Sequence, residues 1–562
     1  MATSIQVNKK SVEEMLTSGA KREFVIPEYQ RPYAWSTDEI NTLWEDLVNF
    51  ANQRSEKTYF LGAIVFYENE NGEQEIIDGQ QRLTSLFLML RAIYSKLESM
   101  KKDKQVIGLQ TQLGKTIWET DPITQEPNKK KVLISSLVLN ESSNETLKSI
   151  LISGKSDSSE KDNYSNNFNT FCQLIDGYAK EEPFQFYELI VHILKDAILL
   201  PIEADTQDTA LTIFSTLNDR GMPLNDADIF KAKIYNSLSA DLRAPFISMW
   251  QDVSERSEAA GINIQALFAY YAFTLRAEDN DKDTSRPALR KYFGRNNWEK
   301  LRQSRTMSDI EREMDIWETI NTRNIAECPT WYKNNEVQQL LDILTSYPNE
   351  YWKYTINTYL LIKGNDKPEF TKEFAVFLKK FISVLVSGYL IKPTVNAVKQ
   401  PIMNLNASIF SNSLNFSGFK SSLEEAIENV IEPPAKLIPM LLKIIAYDDS
   451  KQRTLLPFRL DVEHILPRKW QTTSLYGYSF DQVQPYIEHL GNKVPFEKRL
   501  NIQAGNKYFE QKKGRYSVSK VEIVKQLSQY QGSEWGISNI TERDDKLKKM
   551  LKMKLSFWNK GL

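Results

Sequence analysis

Histidine is scarce in this chain: His192, His464 and His489 are the three. One of them stands in Asp461-Val462-Glu463-His464-Ile465-Leu466-Pro467, with two carboxylates just before it and a proline just after. Gly491-Asn492 and then Asn501 follow, amides suited to orienting a base and to offering oxygen to a hard cation. A neutral imidazole takes a proton from water, and oxygen ligands hold one Mg²⁺ or Mn²⁺ beside a leaving oxygen. That is the minimum equipment for metal-assisted hydrolysis of a phosphodiester. The bland alternative is a histidine that closes a hydrogen bond at a strand end, because Asp-x-x-His alone is a weak signal.

A second candidate is Asp78-Gly79-Gln80-Gln81-Arg82. Glu75-Ile76-Ile77 reads as strand, and from Leu83 the apolar spacing turns helical through Leu86, Phe87, Leu90 and Ile93. Asp78-Gly79 is therefore a strand-to-helix turn, and Gln80 to Arg82 open the helix. Its first N–H groups lack intrahelical partners and carry partial positive charge, which suits an anion. Arg82 adds charge, and Asp78 is placed to hold Mg²⁺ or steer a water. The competing reading is an N-cap aspartate beside a solvated arginine. Gly114-Lys115-Thr116 supplies half of a Walker loop, but Leu109 stands where its first glycine is required.

The elements that must position these groups follow from local patterning. Residues 26–35 contain Pro27 and Pro32, which hold their predecessors extended. Ser36 with Glu39 forms a capping box ahead of the stripe Ile40, Leu43, Trp44 and Leu47. Tyr29, Tyr33 and Trp35 read as packing under that helix, whereas Arg31 is a guanidinium held on a rigid segment, well placed for phosphate. Residues 59–67 and 75–77 form a hairpin across Asn71-Gly72. Residues 197–204 form a short strand, followed by a helix at 209–217 and the loop Asn218-Asp219-Arg220-Gly221-Met222-Pro223-Leu224. Asn225 or Asp226 caps the next helix, which carries Lys231 and Lys233.

Near the other end, residues 458–465 read as a strand stopped by Leu466-Pro467. A second strand begins at Asn492-Lys493-Val494, and residues 498–508 are helical, with Asn501 nine residues after Asn492. Strand, loop, strand, helix is the ββα-metal (HNH, or His-Me finger) layout. In it His464 is the general base and Asn492 its orienting amide. Glu463 and Asn501 are the metal ligands, with Asp461 in reserve. Asn506 lies beyond them, and Lys512, Lys513 and Arg515 face the backbone phosphates of a nucleic acid. From Lys493 onward basic residues outnumber acidic ones roughly two to one.

A chain of 562 residues exceeds one core, so three domains are expected. Hydrophobic content of 41% with 26% charged residues describes a globular protein, and a net charge of -2 makes any nucleic-acid surface a local patch. Cys172 and Cys328 exclude a disulfide framework and a four-cysteine zinc site, and read as free thiols. No signal-peptide core opens the chain, and no apolar run approaches the roughly 18 residues of a membrane span, so a cytoplasmic protein with no membrane contact is expected. Residues 237–447 read as mostly helical, with a charged loop at 277–285. Residues 121–161 read as a looser polar insertion. Trp250, Trp298, Trp317, Trp331 and Trp352 read as core, as does His192, while His489 packs near the second strand.

Three ordered motifs carry a family resemblance: Ile26-Pro27-x-Tyr29-Gln30-Arg31-x-Tyr33-x-Trp35, Asp78-Gly79-Gln80-Gln81-Arg82-Leu83-Thr84, and Phe214-x-x-Leu217-Asn218-x-Arg220-Gly221-x-Pro223-Leu224. They resemble the N-terminal half of the GmrSD family, modification-dependent (type IV) restriction proteins of bacteria. The heptapeptide around His464, Leu490-Gly491-Asn492, Leu500-Asn501-x-x-x-x-Asn506 and Phe509-x-x-Lys512-Lys513 resemble the family's nuclease half. The resemblance implies an α+β multidomain chain. A ParB-like α/β domain would span 1–236, a helical domain 237–447, and an HNH nuclease domain with flanking helices 448–562. It implies that Asp78, Gly79, Gln80, Gln81 and Arg82, helped by Arg31, contact or hydrolyse a nucleoside triphosphate (GTP, ATP, CTP or UTP). It further implies metal-dependent cleavage of double-stranded, modified phage DNA licensed by that nucleotide, and leaves a homodimer open. One departure stands out, since many HNH nucleases carry aspartate where Glu463 stands. Rival readings are a nuclease acting on RNA or host DNA in a toxin system, and a nucleotide-gated DNA-binding adaptor with an inert nuclease remnant.

Overall fold

In a computed structural model, residues 5–17, 23–52, 58–121, 123–124, 126–138, 141–156, 162–207, 209–211, 213, 226–326, 328–411, 413–419, 422–470 and 474–560 are described. They form a mixed α+β chain of two compact units, residues 1–251 and 252–562.

The first unit is organised by one sheet. Its strands are β1 (Ile5–Val7), β2 (Phe24–Ile26), β3 (Tyr59–Glu68), β4 (Gln74–Asp78), β5 (Ile134–Ser136) and β6 (Ala197–Ala204), ordered β1-β6-β3-β4-β2-β5. Lys10–Ser11 adds a short rung on β6. The expected hairpin is β3–β4, antiparallel, with Gly72 at φ 79° in its turn. β6 then runs parallel to β3, pairing Ile202 with Val65. Period-two alternation divides the strands between two faces. Ile64, Phe66 and Ile76 join the larger core, covered by helices α1 (Thr37–Asn52), α2 (Gln80–Ser99), α3 (Asn163–Glu181) and α4 (Gln185–Lys195). Val65, Ile77 and Ile202 pack instead with Tyr29 and with Ala232 of α5 (Asp226–Ser237).

Helix α2 has Leu83, Leu86, Phe87 and Leu90 wholly buried, so it is the central post of this unit. Its start is set by Gly79 at φ 87°, a left-handed conformation that a side chain resists. A Cβ there would strike Ile64 Cδ1 and lie 3.0 Å from the Ala63 carbonyl oxygen. Ser36 caps α1 as expected: its N–H donates to Glu39 Oε2 at 2.7 Å and its Oγ accepts from Asp38 N–H at 3.3 Å. Residues 121–161, expected as a loose insertion, instead contribute β5 at the sheet edge and the helix Glu141–Ser153. His192, expected in the core, lies at the surface with Nδ1 2.6 Å from Asp196 Oδ2. Its place on α4 puts it one helical turn from that carboxylate, within hydrogen-bond reach. The whole third motif, residues 214–224, and Asn225 lie outside the described residues.

The second unit is mostly helical and ends in a small mixed substructure. Its longest apolar helix, α6 (Pro368–Ile391), contains an 18-residue stretch with a mean hydropathy of 1.8 and is long and apolar enough to cross a membrane, contrary to the expectation that no stretch would be. Its most apolar stretch is 78% buried within the protein, stacked for instance by Phe377 against Tyr359 at 3.9 Å, which marks a core helix. Strands β7 (Leu460–His464) and β8 (Lys493–Glu497) pair antiparallel, followed by helices α7 (Lys498–Ala504), α8 (Phe509–Tyr516) and α9 (Ile537–Asn559). Ile465, Val494, Phe496, Phe509 and Tyr516 share their core.

Gly79→Ala should destabilise the first unit by more than about 1 kcal/mol, since the residue must adopt positive φ against Ile64. Urea unfolding checks this; an unchanged midpoint would mean the turn relaxes.

Candidate functional site

Pairing of β7 with β8 sets His464 opposite Lys493, Glu463 opposite Val494 and Asp461 opposite Phe496. Alternation therefore puts Asp461 and Glu463 on the face covered by α7 and α8, and His464 on the other. On the covered face Glu463 is buried, with Lys512 Nζ 2.7 Å from Oε1 and the Tyr516 hydroxyl donating to the same oxygen at 2.8 Å. The Lys512 side chain is 1% exposed and also donates to the His464 carbonyl oxygen at 2.6 Å. Burial pushes the Glu463 carboxyl up, opposed by Lys512 and Tyr516, and pulls the Lys512 amine down.

This geometry corrects two expectations. Lys512 points its donors inward and is not presented to a backbone phosphate. Glu463 is already neutralised by a buried ammonium and is not presented to a cation. Asp461 differs: Asn501 Nδ2 donates to its Oδ2 at a long 3.4 Å. Among the described residues no three His, Cys, Asp or Glu side chains gather into a metal cluster. Mg²⁺ ordinarily takes one or two carboxylates and completes its shell with water and phosphate, and Asp461 with Asn501 is an oxygen pair that suits this sparse coordination. Lys513 donates to the Gly532 carbonyl at 2.8 Å and pairs with Glu510 at 2.6 Å, while Asn506 and Arg515 are exposed.

On the opposite face, His464 Nε2 lies 3.4 Å from Glu488 Oε2. Glu488 also pairs with Arg468 at 3.0 Å and with the buried Lys493 at 2.9 Å. Burial pulls the His464 ring down to about 4, against the pull of Glu488 and with help from Lys493 and Arg468. At pH 7 the ring is neutral and can accept a proton.

Asn492 does not touch that ring, which corrects its expected role. Wholly buried, it accepts from Leu466 N–H at 2.8 Å and donates to the carbonyls of Leu466 and Ile487, both at 3.0 Å. It fixes the chain just past His464 instead of bonding the imidazole. The turn before it is tied down by α9. Asp544 accepts from Gly491 N–H at 2.6 Å and bonds His489 Nδ1 at 2.8 Å, while Arg543 donates to the Gly491 and Lys493 carbonyls at 2.8 Å. Glu488 and Asp544 were missed in the sequence. Glu488 adjoins His489 but belongs to no spaced pattern, and Asp544 lies in an ordinary charged helix.

In the first unit the Asp78–Arg82 turn meets the extended segment that carries Arg31. Gln80 Nε2 donates to Gln30 Oε1 at 3.1 Å and to the Arg31 carbonyl at 3.2 Å. Gln81 accepts from Ala34 N–H at 2.7 Å and Trp35 N–H at 3.2 Å, and donates to the Pro32 carbonyl at 3.0 Å. The Gln81 amide is thereby spent on the backbone of the first motif, a correction to its expected contact with a ligand, and the Gln80 Nε2 is turned to the same segment. Arg82 Nη1 donates to the Ala63 carbonyl at 3.1 Å, and Gly62 leaves it room, since a Cβ there would lie 2.7 Å from the guanidinium carbon. Burial raises the Asp78 carboxyl, opposed by the Gly79 N–H and by Arg82 and Arg31. Burial also lowers Arg82. The charged members Asp78, Arg82 and exposed Arg31 are brought together around the N-terminus of α2.

The model of the GmrSD restriction endonuclease N-terminal domain matches residues 12–235, and that of the GmrSD restriction endonucleases' C-terminal domain matches residues 409–550. The first match contains the Asp78–Arg82 turn, and the second contains β7, β8 and the surroundings of His464. Together they define a restriction endonuclease, which cuts DNA. The chain belongs to the GmrSD family. No curated protein matches it.

Two outcomes follow from the buried groups. Lys512→Met should cost about 3–5 kcal/mol in urea unfolding by stranding Glu463, yet leave the salt dependence of DNA binding unchanged. Arg515→Ala should do the reverse, lowering the salt slope by about one. Below pH 6.5 the unfolded His464 ring takes up a proton that the native ring, with its pKa of about 4, refuses. That refusal lowers stability as pH falls from 6.5 to about 4, so His464→Gln should flatten the acid side of a Tm–pH curve relative to wild type.

Proposed function

We propose that this restriction endonuclease is modification-dependent and nucleotide-licensed. The N-terminal unit, a ParB-like domain in this reading, binds a nucleoside triphosphate, and the β7–β8 pair with α7 serves as an HNH-type nuclease centre acting on double-stranded, modified phage DNA in the cytoplasm. The observation that carries the nuclease half is His464: a ring kept neutral by burial, at the end of a strand whose continuation is pinned by Asn492.

In this reading His464 accepts a proton from water as its oxygen attacks phosphorus, while the bond from phosphorus to the leaving oxygen breaks. Glu488, anchored by Lys493, holds the imidazole and balances the imidazolium that forms. A Mg²⁺ or Mn²⁺ ion, when bound, would supply positive charge to the leaving oxygen, with Asp461 and Asn501 as its ligands. Arg515 and Asn506 are the exposed groups left to meet the DNA backbone.

His464→Ala should lower cleavage by roughly 10²–10⁴-fold with an unchanged circular dichroism spectrum. Undiminished cleavage would remove His464 as base. Asp78→Ala and Arg82→Ala should weaken nucleotide binding measured by calorimetry against wild type. Digestion of modified phage DNA, unmodified plasmid and RNA in one buffer tests the substrate, and equal cutting of the two DNAs would sink modification dependence.

A further inference from the structure

Residues 236–408 lie between the two matched domains, and charge is unevenly distributed along them. Residues 277–285 carry four carboxylates and one lysine, whereas residues 286–305 carry seven basic residues and one acidic one, in a chain whose net charge is -2. The structure engages all the carboxylates. Asp279 pairs with Lys300 at 2.7 Å and Glu278 with Arg305 at 2.6 Å, while Asp281 and Asp283 lie 3.7 and 3.8 Å from the Arg276 guanidinium. Glu299 accepts from Asn296 Nδ2 at 3.3 Å. Lys291, Arg295 and Arg302 are exposed and form no ion pair among the described residues, although Arg295 acts on Asp283 at longer range. A turn gathers the cations. Asn296, Asn297 and Trp298 follow one another at φ 50°, 54° and 64°. Asparagine tolerates such left-handed backbone but a bulky residue resists it, so three in a row are held by their surroundings. The reversal returns the chain to Tyr292. The Arg295 guanidinium and the Lys300 ammonium each lie 5.8 Å from its ring centroid, and Arg276 lies 5.5 Å from it. Tyr292 is buried, so one anchored ring fixes cations from both sides of the turn.

We propose that residues 286–305 form a second DNA-binding surface, on which Lys291, Arg295 and Arg302 meet backbone phosphates of the duplex that the nuclease cuts. It lies in the same unit as β7 and β8, and it depends on the DNA substrate, not on the nucleotide reading. A phosphodiester backbone presents one negative charge per nucleotide, and neutralising those charges releases counterions, the main source of sequence-independent affinity. A protein partner fits less well, because a protein interface needs an apolar centre. Leu289, Tyr292, Phe293 and Leu301 of this segment are all buried, which leaves a surface of charge alone. Phosphate contacts hold a duplex whatever its bases, so this surface supplies grip and register and leaves discrimination to other groups.

The test uses the full chain and a short DNA duplex, with EDTA to prevent cleavage and fluorescence anisotropy read over a series of salt concentrations. The triple variant Lys291→Gln, Arg295→Gln, Arg302→Gln should weaken binding about tenfold or more at about 0.1 M salt and lower the salt slope by about two to three. The loss should be the same for modified phage DNA and plain DNA. Removing equal charge from the same unit at exposed positions, with Lys363→Gln, Lys367→Gln and Lys372→Gln, should change the slope by less than about one. Trace acetylation of wild type, read by mass spectrometry, needs no variant to fold: saturating duplex should slow modification of Lys291 and leave Lys367 unaffected. Wild-type affinity and slope in the first triple variant overturn the inference, as does an equal loss in the second. Lys291 acetylated at one rate with and without duplex overturns it too. Weakened binding of an RNA hairpin with DNA binding intact would assign the surface to RNA and remove it from the DNA reaction.

Discussion

Backbone that is neither helix nor strand can be buried beside a reactive group only if its N–H and C=O groups find partners, and in both units side-chain amides supply them. Gln81 takes the N–H groups of Ala34 and Trp35 and gives its own to Pro32, while Gln80 reaches the Arg31 carbonyl. Asn492 does the same for the chain leaving β7, accepting from Leu466 and donating to Leu466 and Ile487. An amide carries two donor hydrogens and an acceptor oxygen in one plane. A carboxylate would lose the donor, and lysine the acceptor. The two sites are thus built in the same way, with charged residues held at the end of irregular backbone that a buried amide has made rigid.

Charge is handled by a second device, the segregation of ion pairs across a thin sheet. Under β7, Glu463, Lys512 and Tyr516 form a closed network with little access to water. Over it, His464 meets Glu488, and Glu488 meets Lys493 and Arg468. The lower pair is structural: removing either partner leaves the other charged and buried. In the upper group burial pulls the imidazole down, Glu488 opposes it, and Lys493 and Arg468 add to the effect of burial. Lys512, by donating to the His464 carbonyl, also ties the covered face to the backbone of His464.

Much of this was legible in the chain itself. The β3–β4 hairpin, the Asp78-Gly79 strand-to-helix turn, the Ser36–Glu39 cap and the β7–β8–α7 succession all follow from local signals: turn residues, alternation and the onset of helical spacing. The burial of Tyr33 followed from its place under an apolar stripe, whereas Tyr29 is buried in the other core, with Ala232. What misled were the polar residues. Lys512 reads as a phosphate contact and Glu463 as a ligand until α8 is folded onto β7 and their charges meet. Gln80 and Gln81 read as ligand contacts until the segment from Arg31 to Trp35 is laid over them.

The sequence alone determined the family and many of the elements, because turn chemistry and hydrophobic period are short-range and the motifs are ordered along the chain. It also placed a single histidine, His464, directly after two carboxylates of one strand. Tertiary structure decided which polar side chains remain available. It paired Glu463 with Lys512 across 49 positions of chain, joined Gln81 to Trp35, and put Glu488 rather than Asn492 against the His464 ring. The reason is physical: a side chain's hydrogen-bonding capacity is written in its type, but the partner that uses it is set by packing between segments far apart in sequence.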